Sequence, residues 1–272
     1  MHKILRHAHT SLMRIFLVCI FFLSACNNNY IENISNSIVA DSGSFILLEP
    51  EKAGMNGYLI NRKNKQLLVY GLPYVNEDTV QRLGDYELFI LRKDFGESRI
   101  EITDQNLVSP KIKDQKRASA EYLKVKKIIK NKTKQFDNSF EFQSPIESVI
   151  TSAYGKRRFI NNNERSPHMA LDLRGAVGRE IFAPKTGKVV LAEKHFYGGN
   201  KVILDHGGGL FTAYSHMSEI LVKPEDVIEA GTVIGLVGMT GRVTGPHLHW
   251  EVFLNENRIN PELLISLEYV QD

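Results

Sequence analysis

Thirteen of the chain's twenty glycines fall between Gly175 and Gly245, and the stretches they separate are short and strand-like. Gly187 to Ala192, Lys201 to Leu204, Leu210 to Tyr214, Thr232 to Val237 and His247 to Leu254 are runs of strand length bounded by turn residues. Such spacing leaves no room for a helical architecture and predicts an all-β domain beginning near Phe142. All six histidines downstream of residue 26 lie in this part of the chain: His168, His195, His206, His216, His247 and His249. Surface histidines scattered without purpose would not cluster in this way.

Two spacings have a geometric meaning. His247-Leu248-His249 sits in an apolar strand-type run, where residues i and i+2 project from one face. Both imidazoles then enter one cavity while Leu248 and Trp250 pack on the opposite side. His168 and Asp172 are four apart and share a face in either a strand or a helix. Two imidazoles and one carboxylate make an open zinc site, with the fourth tetrahedral position left for water. Either pattern alone is weak; together, in one glycine-rich β domain, they are specific.

The amino terminus reads as an export signal. Lys3, Arg6 and Arg14 precede or flank an unbroken apolar run from Ile15 to Leu23, too short to span a bilayer, and no acidic residue occurs before Cys26. The run ends in Leu23-Ser24-Ala25-Cys26, which resembles the lipobox of bacterial lipoproteins; that resemblance implies cleavage before Cys26 and acylation of its thiol. Removing residues 1–25 removes three basic residues and no acidic one, leaving 31 of each sign. The overall basic balance therefore belongs to the signal and predicts no nucleic-acid partner. Cys19 leaves with the signal, so Cys26 is the sole remaining cysteine and no internal disulfide forms. Stability must come from packed cores, for which roughly 240 residues suffice.

Residues 26–43, rich in Asn and Ser, read as a flexible tether. Residues 44–108 read as a small β domain, with strand-type runs at Phe45 to Leu48, Tyr58 to Ile60, Gln66 to Tyr70, Tyr86 to Leu91 and Arg99 to Thr103. This region has no His or Cys and shows no chemistry. Residues 109–141 read as a basic helical linker: Lys111 to Lys134 holds ten basic residues against two acidic, and Tyr122, Val125 and Ile129 recur at helical spacing. Its charge is that of a solvated face. Residues 142–268 form the last domain.

His168-x-x-x-Asp172, Tyr214-Ser215-His216-Met217 and Gly245-Pro246-His247-Leu248-His249-Trp250 resemble the three signature blocks of the M23 (lysostaphin/LytM-type) metallopeptidases. The resemblance runs from about Ser144 to Leu264 in the family's order, and residues Phe45 to Thr103 look like the β domain that precedes the peptidase domain in some Gram-negative members. Met217 departs from the leucine commoner at its position. The resemblance implies an antiparallel sheet with an open groove and one Zn2+ at its floor, held by His168, Asp172 and His249. His216 and His247 are implied as the unligated catalytic pair, one of them the general base. His195 and His206 read as structural. Glu251 either orients a ligand imidazole or makes a structural ion pair. Arg165, Asn161 to Asn163 and Tyr197 are expected on loops near the metal.

The resemblance further implies hydrolysis of peptide cross-links in peptidoglycan, with the D-alanyl–meso-diaminopimelate bond as the expected target. The expected partners are stem and cross-link peptides, the membrane through lipidated Cys26, and cell-envelope regulators. The expected location is the periplasmic face of the outer membrane of a Gram-negative bacterium. The alternative is a non-enzymatic LytM-type activator of a cell-wall amidase, the role of relatives that have lost metal ligands.

Overall fold

The apolar runs of the C-terminal half pair with one another. In the structure, a computed structural model that describes residues 36–265, Gly187–His195, Gly199–Gly207, Leu210–Met217 and His247–Leu254 lie side by side, each antiparallel to the next. Val227–Ile228 extends this sheet at one edge; Leu171–Arg174 and Ile150–Ser152 extend it at the other. Asn257–Ile259 folds back onto His247–Leu254 as the eighth strand. The tight reversal before Leu210 is carried by Gly207, Gly208 and Gly209, whose φ values of 84°, 60° and 81° are ones that side chains resist.

Alternation along His247–Leu254 sorts its residues between two faces. Leu248, Trp250, Val252 and Leu254 are fully buried on one. His247, His249, Glu251 and Phe253 occupy the other, and that face is divided along its length. At one end Phe253 packs with Phe211, Ala213, Ile203 and Leu191 against Val125 and Ile129 at the end of the helix Ile112–Ile128. Each such aliphatic side chain contributes roughly 1.5–3 kcal/mol by leaving water. The histidines lie at the opposite end.

The helix is basic along its outer surface, and its polar residues also hold it to the sheet. Arg117 Nη2 donates to the Lys194 carbonyl at 2.8 Å, Lys124 pairs with Glu193 at 2.5 Å, and Glu121 accepts from the Phe196 amide at 2.8 Å. Tyr122, which shares the helical spacing of Val125 and Ile129, is 56% exposed. The seam is formed by Val125, Ile128 and Ile129 near the helix end.

The amino-terminal strands form two three-stranded sheets. One orders Ser37–Asp41, Tyr86–Leu91 and Thr79–Leu83; the other orders Phe45–Leu48, Lys65–Gly71 and Tyr58–Arg62. Their shared core includes Ile38, Ile46, Leu48, Leu68, Leu88 and Ile90. Ser37–Asp41 falls within the stretch read as a tether. It is a strand because Ile38 buries its side chain in this core while the backbone pairs in parallel with Tyr86–Leu91. Thr79–Leu83 escaped the sequence reading because it is an edge strand, too solvated to show a clear apolar alternation. A third small sheet joins the two halves of the sequence: Glu97–Ile100 runs parallel to Arg157–Ile160, which pairs in turn with Asn163–Arg165.

The protein is all-β apart from a few helical segments, and only Ile112–Ile128 among the described helices exceeds four residues. No described helix is long and apolar enough to cross a membrane. Cys26 and the export signal lie outside the described residues.

Candidate metal centre

Asp172 lies on Leu171–Arg174, directly opposite His249 of His247–Leu254 in the antiparallel register. Cross-strand partners project to one side, so the register itself brings carboxylate and imidazole together. His168 precedes the strand, so strand alternation does not position it. It is placed by backbone pairing with the segment before Arg157: Gly155 N donates to His168 O at 2.6 Å, and His168 N donates to Lys156 O at 2.9 Å. Three donor atoms then converge. His168 Nε2 lies 3.1 Å from Asp172 Oδ1, His249 Nδ1 lies 2.8 Å from the same oxygen, and the two nitrogens are 3.3 Å apart. Tetrahedral zinc with bonds of about 2.0–2.1 Å needs donors about 3.3 Å apart. The arrangement fits that ion.

The hydrogen-bonding around the triad favours a cation. His168 Nδ1 donates to the Ala153 carbonyl at 3.0 Å, which turns Nε2 toward the Asp172 carboxylate. Holding Nδ1 on a backbone carbonyl also fixes ring orientation, as for ligating histidines generally. Burial alone would raise the Asp172 pKa, but the hydrogen bonds from His168 and His249 outweigh it and keep the carboxylate ionised well below its usual range. Burial lowers the His249 pKa, which favours the neutral form a metal requires.

His216 and His247 complete the cluster. The His216 ring centroid lies 5.0 Å from that of His247 and 5.4 Å from that of His249. Ser215 is the register partner of His249, so regular alternation would send His216 to the wrong face. Instead His216 has φ of 66°, a conformation uncommon outside glycine, at an irregularity between Asn200 and Val202 of the neighbouring strand. Residues held in this region cluster at functional sites. His216 Nδ1 donates to the Thr240 carbonyl at 2.8 Å and His247 Nδ1 to the Gly245 carbonyl at 2.8 Å, leaving both Nε2 atoms as acceptors. Burial, then the nearby His249 and His247, push the His216 pKa well below its ordinary value. His216, His247 and His249 also have donor atoms within 4.8 Å of one another, so His249 belongs to two metal-capable triads. Only the triad with Asp172 brings a compensating negative charge.

The remaining sequence candidates separate by their contacts. His206 is wholly buried and structural: Nδ1 donates to Thr186 O and Nε2 accepts from Thr212 Oγ1, each at 2.8 Å. His195 pairs with Glu193 at 3.1 Å. Glu251 makes a buried ion pair with Lys201 and a second with Arg258, with no hydrogen bond to an imidazole. Asn161 and Asn162, at φ of 48° and 63°, turn the hairpin between Arg157–Ile160 and Asn163–Arg165, and the Asn161 side chain bonds Ile102 twice. Tyr197 carries the Arg242 guanidinium over its ring at 4.2 Å. Sequence reasoning passed over Thr240 and Ala153, whose carbonyls orient imidazoles, because backbone acceptors leave no residue-type signal. It also passed over Arg158 and Arg242.

Comparison with known proteins agrees with this geometry. Residues 166–261 match the profile of peptidase family M23. Peptidoglycan DD-endopeptidase ShyA of Vibrio cholerae is 39% identical over 119 residues, 43% of this chain and 28% of the relative. The DD-carboxypeptidase/endopeptidase Mpg of Neisseria meningitidis is 32% identical over 130 residues, 48% of this chain and 30% of the relative. The chain thus spans under a third of the length of these relatives. A crystal structure of an M23 peptidase candidate from Pseudomonas aeruginosa superposes with a TM-score of 0.64 at 24% identity, over 84% of this chain and 95% of that one, which shows a shared fold. The histidine-bearing strand and the converging donors thus lie within the part of this chain, residues 166–261, that matches the profile of peptidase family M23.

Proposed function

We propose that the protein is a zinc-dependent murein endopeptidase that hydrolyses peptide cross-links of peptidoglycan, with the D-alanyl–meso-diaminopimelate amide as its bond. The observation that carries this is the convergence of His168 Nε2, Asp172 Oδ1 and His249 Nδ1 within 3.3 Å, with two further imidazoles beside them. The names of the endopeptidase relatives point to the substrate class. Bound in this triad, zinc would supply Lewis acidity toward the scissile carbonyl and a water whose pKa falls toward about 7. His216 and His247 do the proton work. With Nδ1 committed to a backbone carbonyl, each offers Nε2 to accept the proton of the attacking water. Once protonated, the same nitrogen donates to the developing oxyanion or returns the proton to the leaving amine.

We place the enzyme at the cell envelope, lipidated on Cys26 after cleavage of residues 1–25, and facing the wall from the outer membrane. In this reading the small β module runs from Ser37 to about residue 108, residues 109–141 form a linker and residues 142–268 the peptidase. A Cys26→Ala protein should lose the acyl mass and leave the membrane fraction.

The test is incubation of the full chain, purified in detergent, with cross-linked muropeptide dimers, with and without a chelator, and with mass spectrometry of the products. Dimers that disappear, persist under chelation and disappear again when zinc is restored are the expected result. Dimers left intact in the presence of bound zinc would overturn the proposal and favour the amidase-activator role.

A further inference from the structure

Arg158 and Arg165 are direct cross-strand partners on the hairpin beside His168, and directly opposed residues project to the same face of the pair. Arg242 comes from a different element, the segment between Val233–Leu236 and His247–Leu254, where it stacks on Tyr197. Arg242 lies two residues beyond Thr240, whose carbonyl accepts from His216 Nδ1, and its own amide donates to Tyr197 O at 2.8 Å, which places it at the same centre. Burial lowers the Arg242 pKa, and the charges of Arg158 and Arg165 lower it further. Burial also lowers the Arg158 pKa while the Asp172 carboxylate raises it, so Arg158 lies within the field of the metal centre.

None of the three has a carboxylate partner among the described residues. Arg165 Nη2 donates only to the Val108 carbonyl at 3.2 Å, Arg242 has the Tyr197 ring, and Arg158 Nε is buried with no hydrogen-bond partner. Neighbouring arginines are treated differently: Arg157 pairs with Glu164 and Arg258 with Glu251. Three guanidinium groups without a paired carboxylate, one with a buried unmet donor, work against stability. They are the forks that bind carboxylates in paired hydrogen bonds.

We propose that Arg158, Arg165 and Arg242 form a carboxylate-reading subsite beside the metal centre, which takes the free carboxylate on the amine side of the scissile amide. The inference rests on the endopeptidase reading and names what that site recognises. In a D-alanyl–meso-diaminopimelate cross-link, the carbon bonded to the amide nitrogen also carries a free carboxylate. A terminal D-alanyl–D-alanine has the same feature. A glycine bridge carries a further amide there instead. The subsite therefore selects amides whose leaving amine bears a carboxylate and discriminates against uncharged bridges.

The experiment uses the full chain with its metal, in detergent, and two muropeptide dimers that differ only in whether the carboxylate on the amine-side residue is free or converted to a carboxamide. Charge-assisted hydrogen bonds of this kind predict a kcat/KM about 10- to 100-fold lower for the carboxamide, chiefly through KM. Arg165→Gln and Arg242→Gln should narrow that gap by raising KM for the free-carboxylate dimer, with kcat changed less. Equal kcat/KM for the two dimers in the unsubstituted protein overturns the inference and leaves the endopeptidase reading standing. A gap that neither substitution narrows overturns the assignment to these arginines. Cleavage of neither dimer overturns both readings.

Discussion

Replacing Glu251 by glutamine removes one negative charge from the sheet face that carries His247 and His249 while keeping the side chain's volume. Glu251 is 6% exposed and accepts from Lys201 Nζ at 2.5 Å and Arg258 Nε at 2.9 Å. Burial alone would raise its pKa, but Lys201 and Arg258 outweigh burial and hold it below the usual carboxylate range. In Glu251→Gln the Lys201 ammonium, itself 8% exposed, keeps its charge and loses its counter-ion. Breaking one side of a buried pair costs about 3–5 kcal/mol. The amide oxygen still accepts one hydrogen bond from Lys201, so the lower end, about 3 kcal/mol, is expected. For a unit of this size that is a fall in Tm of about 6–12 °C. Urea unfolding with metal present in both proteins measures it. Lys201→Met combined with Glu251→Gln should recover most of the loss, because Arg258 is partly exposed and finds water. The sign with pH is fixed: a depressed carboxylate contributes above its unfolded pKa of about 4.3 and loses that contribution as pH falls. The difference between the two proteins should therefore shrink below about pH 4. A single substitution within about 0.5 kcal/mol of the original, or a double one as unstable as both singles summed, would refute this account.

Other consequences are as direct. His247→Ala should cut dimer cleavage by about 10²–10⁴-fold with circular dichroism and metal content unchanged, and cleavage within tenfold of normal would remove His247 from the proton work. Burial pushes the His206 pKa down to about 4, against about 6.5 when unfolded, so the native state resists protonation. Stability present above about pH 6.5 is then lost as pH falls toward 4, by about 3 kcal/mol at the lower end, and His206→Gln should flatten that slope in a chelated sample. In Gly199→Ala the added methyl meets the Thr240 backbone at a φ of 62°, displacing the carbonyl that orients His216. Stability should fall by more than about 1 kcal/mol and cleavage with it; an active, equally stable protein would count against that orienting role.

How much of this was legible depended on whether a side chain's position follows from period alone. His247 and His249 lie in a regular strand, so their spacing gave their shared face. Asp172 met His249 through strand register, which no local pattern records. His168 reached the site by a loop rather than by the face-sharing that its spacing suggested. His216 departs furthest, since its left-handed backbone reverses the face that alternation would assign, and only resemblance to a family drew it into the cluster. Arg165 was expected on a loop near the metal and lies on the strand Asn163–Arg165, whereas Arg158 and Arg242 were passed over, because cationic residues in a chain with many lysines and arginines carry no spacing signal. In the amino-terminal half the error ran the other way. The stretch around Ser37–Asp41 looked too polar for a strand, yet one isoleucine and a row of backbone partners suffice to fix it.

The central claim is that His168, Asp172 and His249 hold the metal on which hydrolysis depends. Metal analysis by mass spectrometry on the full chain and on Asp172→Ala, run beside dimer cleavage by the same samples, tests it most directly. About one zinc per chain is expected in the unsubstituted protein, with both metal and cleavage lost in Asp172→Ala. Zinc and cleavage both retained by Asp172→Ala would contradict the account.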